Sequence, residues 1–191
     1  FLNSGFFPSI AVRTTTLWTW MAVADLEVGF SLYIDGLTLV MMSVITGVGV
    51  LIHLYSVEFM WEDASFSRFF AYMNLFVGAM LLLVMGDNLL LLFLGWEGVG
   101  MCSYLLVGFW YRDPNNGAAA RKAFVVTRVG DALMALGLFL LFTELGTLDI
   151  QPLLTAANLQ WEVGESLPLL ATALLLGGAL ALSRMNIQFF P

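Results

Sequence analysis

Long apolar runs alternate with short polar breaks along most of this chain. A helix needs about 20 apolar residues to cross roughly 30 Å of hydrocarbon at a rise of 1.5 Å per residue. Four runs read as full spans, at residues 36–57, 69–86, 89–110 and 123–142, and a shorter fifth lies at 167–182. Backbone amides in lipid must be bonded internally, so such runs are helices or barrel strands. Barrel strands would alternate polar and apolar residues, whereas these runs are apolar on every side. The pattern therefore predicts an all-α, polytopic transmembrane helical bundle.

The breaks carry turn chemistry. Gly86, Asp87 and Asn88 leave room only for a tight hairpin between two helices. Residues 112–117 read as a turn, because Pro114 and Gly117 interrupt the helical pattern. The stretch 144–164 reads as the longest loop. Residues 1–35 form an outward-facing amino-terminal loop segment in this reading, and residues 36–182 form the membrane domain.

Composition strengthens the picture. The chain has 191 residues, 60% of them hydrophobic and 11% charged, with a mean hydropathy of +0.90. Soluble domains run at about 45–50% apolar and about 25% charged, so a soluble domain and a disordered chain are both excluded. The formal charge of −7, with no basic block, argues against nucleic acid as a partner. The one cysteine, Cys102, excludes an internal disulfide framework and reads as a small apolar residue within a span. Residues 1–10 lack a basic start followed by a sustained apolar run, so no cleavable signal peptide is expected.

If the spans alternate in direction, Arg68, Arg112, Arg121, Lys122 and Arg184 fall on one side and Arg13 on the other. That bias places the first group toward the cytoplasm. Trp18, Trp20, Trp61 and Trp110 sit near span ends, as an aromatic belt would.

Charges inside the spans need a reason, since one at the bilayer centre costs on the order of 3 kcal/mol. Counted from the inner ends of the spans, Glu97 lies roughly 20 Å deep, Asp131 roughly 12 Å, Arg128 roughly 8 Å and His53 roughly 6 Å. Arg128 and Asp131 are spaced i,i+3 and share a helix face, which suits an ion pair, functional or purely structural. Glu97 has no charged neighbour in its own span. It finds a partner on another helix, takes up a proton, or lines water. Desolvation favours the neutral form of an acid, and a nearby cation favours the charged one, so such a carboxyl is suited to carry protons. His53 has a competing reading as a packed interfacial residue. The glycines at 95, 98 and 100 permit close helix approach or soften the helix beside the carboxylate.

The run LGWEGVGMCSYLL at 94–106 resembles the signature of the antiporter-like membrane subunits of respiratory complex I, the bacterial NADH-quinone oxidoreductase. NGAAA at 116–120 and KAFVVTRVGD at 122–131 narrow the resemblance to the distal, NuoL-type members. WTW at 18–20, DGL at 35–37, GVG at 47–49, LIH at 51–53 and SRFFAY at 67–72 fit the same family. The likeness runs from about residue 17 to 178.

The resemblance implies an antiporter-like, inverted-repeat fold, of which this chain is a part. It implies proton translocation through buried charged residues, with the key carboxylate mapping onto Glu97, its partner acid onto Asp131, and Arg128 beside it. It implies no cofactor in this chain, with NAD, FMN, iron–sulfur clusters and quinone held by partner subunits. Other membrane-arm subunits, the lipid bilayer and protons would be its partners, in a bacterial inner membrane. Gly177 and Gly178 stand where the family has a glycine pair, but 179–186 depart from its pattern and lack its buried lysine. Residues 183–191 thus read as a divergent carboxyl-terminal tail. The Trp-Glu-Gly core alone is shared with cation/proton antiporters, which leaves an antiporter subunit as a second reading. A truncated, non-functional membrane fragment is a third.

Overall fold

A computed structural model describes residues 12–23, 26–161 and 166–185, with side chains to residue 178. Two strands come first, β1 (Arg13–Val23) and β2 (Leu26–Ile34), followed by six helices. These are α1 (Gly36–Met60), α2 (Phe66–Met85), α3 (Leu89–Val107), α4 (Pro114–Leu145), α5 (Ile150–Gln160) and α6 (Ser166–Met185). Among the described residues, α1 to α4 are each long and apolar enough to cross a membrane.

Within the segment expected to be an outward loop, residues 13–23 and 26–34 instead form two antiparallel paired strands, with Arg13 opposite Ile34 and Val23 opposite Leu26. Its first strand is rich in Thr and Trp, residues that suit a pleated surface. Trp18 stacks on Phe30 at 4.4 Å, and the Ser31 hydroxyl donates to Thr16 Oγ1 at 3.0 Å.

Helix starts are set by short polar side chains. Asp35 accepts from the Thr38 amide at 2.8 Å at the head of α1, and Asn88 accepts from Leu91 at 2.8 Å at the head of α3. The expected turn at 112–117 is where α4 begins. Asp113 caps it, and Pro114 occupies the first helical position, where a missing N–H costs nothing. The helix is therefore about 48 Å long and overhangs a hydrocarbon core of about 30 Å. It closes at Gly146, whose φ of 70° is one that L side chains rarely adopt.

The expected long loop at 144–164 is also partly helical. α5 fills its middle, with Leu153, Ala156 and Ala157 packed on a cluster formed by Leu141, Leu145 and Ala171. Residues 162–165 lie outside the described residues, as do 186–191.

Three segments meet at one end of the bundle. The Asp87 amide donates to the Ser31 carbonyl and the Leu89 amide to Leu148, while the Ile150 amide donates to Asp87. The Asn88 side chain adds a bond of 2.9 Å to the Gly29 carbonyl. Hairpin, α2–α3 turn and α4–α5 turn are thus bonded to one another. Arg68 lies at the opposite end, where its guanidinium covers Phe109 at 4.6 Å and Tyr111 at 5.1 Å. Trp110 there donates to Asp63 at 3.0 Å.

Close helix approach depends on missing side chains. A Cβ on Gly95 would lie 2.6 Å from the Leu83 amide nitrogen of α2, and one on Gly178 would lie 2.8 Å from the Gly130 carbonyl of α4. The order α2–α3–α4–α6 follows, with α1 against α2. Outward residues such as Val40, Leu51, Val125 and Phe139 are apolar and exposed, which suits lipid or further helices as their surroundings.

Candidate functional site

The site is built where α3 crosses α4. Trp96, Glu97 and Gly100 are related by steps of one, three and four residues, so they share the α3 surface turned to α4. Arg128 and Asp131 are one turn apart on α4. Nη1 of Arg128 pairs with Oε2 of Glu97, and Nη2 lies 3.0 Å from Oδ2 of Asp131. One guanidinium bridges two carboxylates from two helices. Its planar fork suits that task, where an ammonium would serve as a point charge. The Arg128 carbon also sits 4.7 Å over the Phe124 ring.

Asp131 is the more enclosed acid, with 5% of its side chain exposed against 27% for Glu97 and 30% for Arg128. Its second oxygen accepts the indole N–H of Trp96 at 2.8 Å. Gly100 makes the space: a Cβ there would lie 2.7 Å from Nη2 of Arg128.

The structure thus brings Glu97, Arg128 and Asp131 together. Arg128 and Glu97, expected at different depths, pair directly, and α4 starts nine residues before the apolar run from which the depth of Arg128 is counted. His53 lies elsewhere, between α1 and α2, with Nδ1 2.7 Å from the Gly49 carbonyl and its ring 5.9 Å from that of Phe70. Lys122 is exposed on α4 and joins no ion pair among the described residues. Trp96 and Gly100 were visible in the sequence only as motif residues. Their signal was position, one residue before and three after the buried acid.

One arginine thus lies between two acids inside a bundle of apolar helices, the arrangement of a polytopic membrane protein with charged groups held between its helices. A family model described as "NADH:quinone oxidoreductase/Mrp antiporter, TM" matches residues 86–188, more than half of the sequence, so the chain belongs to that family. That match extends into the tail that reads as divergent at 183–191. A second model, "NADH-Ubiquinone oxidoreductase (complex I), chain 5 N-terminus", matches residues 20–70.

NADH-quinone oxidoreductase subunit L of Escherichia coli (strain K12) is 56% identical over 167 residues, covering 87% of this chain and 27% of that protein. The subunit L of Pseudomonas aeruginosa is 54% identical over 176 residues, covering 92% of this chain and 29% of that protein. The chain therefore spans under a third of the length of these relatives. Among solved structures, one titled as the Mrp complex from Dietzia sp. DQ12-45-1b matches with a TM-score of 0.78 and 23% identity, over 92% of this chain and 18% of that one. That likeness shows the shared helical fold.

Proposed function

We propose that these residues are a segment of a proton-translocating membrane subunit of an NADH-quinone oxidoreductase, respiratory complex I. The supporting observation is the sharing of Arg128 between Glu97 and Asp131. Two carboxylates and one guanidinium leave one negative charge over. In a low-dielectric setting that excess is costly, and a proton relieves it. A cluster with that excess charge is therefore suited to take up and give back one proton. When the guanidinium leans toward Asp131, Glu97 loses its counter-charge and binds a proton. When it leans back, the proton leaves.

The energy for this cycle comes from NADH oxidation and quinone reduction. In this reading NAD, FMN, iron–sulfur clusters and quinone belong to other subunits, and this chain contributes Glu97, Arg128 and Asp131. The subunit sits with other membrane-arm subunits in a bacterial inner membrane, its Arg68 and Lys122 end toward the cytoplasm. A cation/proton antiporter subunit would use the same helices without a redox partner. The identity of 54–56% to subunits L favours the complex I reading.

The test is Glu97→Gln in the complete subunit. Assembly and NADH oxidation should persist while protons pumped per NADH fall several-fold. Unchanged pumping overturns the proposal.

A further inference from the structure

We propose that Trp96 is a positioning residue of this cluster, whose indole N–H holds Asp131 as the fixed anion and so leaves Glu97 as the acid that exchanges its proton. The inference rests on the proton-translocating reading given above.

The geometry carries it. Oδ1 of Asp131 accepts the Trp96 N–H at 2.8 Å, while Oδ2 lies 3.0 Å from Nη2 of Arg128 as an ion pair without a hydrogen bond. An ionised carboxyl only accepts, so one N–H donor beside a guanidinium fits its charged form. The Trp96 N–H has no acceptor capacity of its own and does not ionise, so this contact is the same at every stage of a proton cycle. Glu97 differs in each respect. It meets the guanidinium through Oε2, and 27% of its side chain is exposed. Arg128 divides its two terminal nitrogens between a carboxylate that is pinned and one that is not. The pinned side is set by a ring on α3, the helix that also carries Glu97, so the α3–α4 register fixes both distances together. Without the indole, Asp131 keeps only its ion pair to Arg128 among the described residues and is no longer distinguished from Glu97 by a fixed hydrogen bond.

The experiment replaces Trp96 in the complete subunit, within its assembled complex, by benzothienylalanine, which keeps the ring and removes only the N–H, and in parallel by Phe. Protons pumped per NADH are measured together with the infrared carbonyl band of protonated carboxyl groups. Both variants should lower pumping several-fold and add a carbonyl band that disappears when Asp131→Asn is combined with either. The pumping loss of the double variant should match the larger single loss, not the product of the two. Normal pumping with benzothienylalanine, a new band that survives Asp131→Asn, or losses that multiply would overturn the role of Trp96. Glu97→Gln is the control that separates the two proposals. If it pumps normally, the proton-translocating reading fails; if it is impaired while benzothienylalanine at 96 is not, only the positioning role fails.

Discussion

A Cβ on Gly100 of α3 would stand 2.7 Å from Nη2 of Arg128 on α4, so a missing side chain on one helix admits the cation of the next. The atom in the way is the far end of a flexible side chain. Gly100→Ala should thus be cheap to fold, under about 1 kcal/mol, because the guanidinium swings aside rather than the helices separating. What it should lose is the shared geometry, with pumping down several-fold and the subunit still assembled. Gly95→Ala is the contrast. Its Cβ would meet the backbone of Leu83 at 2.6 Å, and backbone cannot yield without moving α2. That change should cost roughly 1–3 kcal/mol and deplete the subunit from membranes. Quantifying assembled subunit and pumping for both variants checks the pair; equal loss of assembly would contradict it.

Asn88 has two tasks at the other end of α3. Its carbonyl oxygen caps Leu91 at 2.8 Å and its amide nitrogen donates to Gly29 at 2.9 Å, with 1% of the residue exposed. Asn88→Ala should remove about 1 kcal/mol of capping and leave the Gly29 carbonyl without this donor, for roughly 2 kcal/mol in total. Asn88→Asp keeps the cap and loses the donor, so it should destabilise through the hairpin alone. Limited proteolysis of the hairpin, set beside thermal unfolding, separates the two contributions. A hairpin as resistant in Asn88→Asp as in the parent would refute the attachment.

Asp87 and Asp149 face each other's surroundings at that same end. Burial raises the pKa of each above the usual carboxylate value, and the charge of Asp149 raises Asp87 further. A raised folded-state pKa means the folded chain binds more protons than the unfolded one. Stability is then highest below the ordinary value of 3.8 and declines as pH rises through the folded-state values. Asp87→Asn and Asp149→Asn should each stabilise the chain at neutral pH, and the gain should vanish in acid. Melting temperatures across that range in detergent test the sign; a gain that grows on acidification would contradict it.

Much of this was written in the order of the residues. Charge-poor runs mark the spans, and the i,i+3 spacing of Arg128 and Asp131 marks a pair that lies 3.0 Å apart. The partner of Glu97 was not legible, because the register of two helices depends on where each begins. Pro114 reads as a break, yet in a first turn proline is tolerated, and α4 begins there. α5 was hidden by length. Leu153, Ala156 and Ala157 have helical spacing, but the segment is too short to span a membrane and carries no span signal. The Thr- and Trp-rich run before Gly36 carried strand propensity that an all-helical expectation passed over. Trp96 is legible as the neighbour of an acid, but the helix its ring faces depends on tertiary packing.

Arg128 is the residue on which the cluster turns, and its removal makes the sharpest forecast. Arg128→Ala leaves Glu97 and Asp131 without their common cation in an apolar bundle. Uncompensated buried charge of this kind costs roughly 3–5 kcal/mol, and the acids escape it only by both holding protons. The subunit should assemble poorly and pump little. Arg128→Ala combined with Glu97→Gln and Asp131→Asn removes every charge and should restore assembly, since a neutral cluster suits its surroundings as well as a paired one. Pumping should stay lost, because no group remains to carry a proton. Arg128→Lys should fall between, keeping the charge but not the fork that reaches two carboxylates. Native gels report assembly, and pH-sensitive dyes in vesicles report pumping. If the triple variant assembles no better than Arg128→Ala, the charge balance drawn from Glu97, Arg128 and Asp131 is wrong.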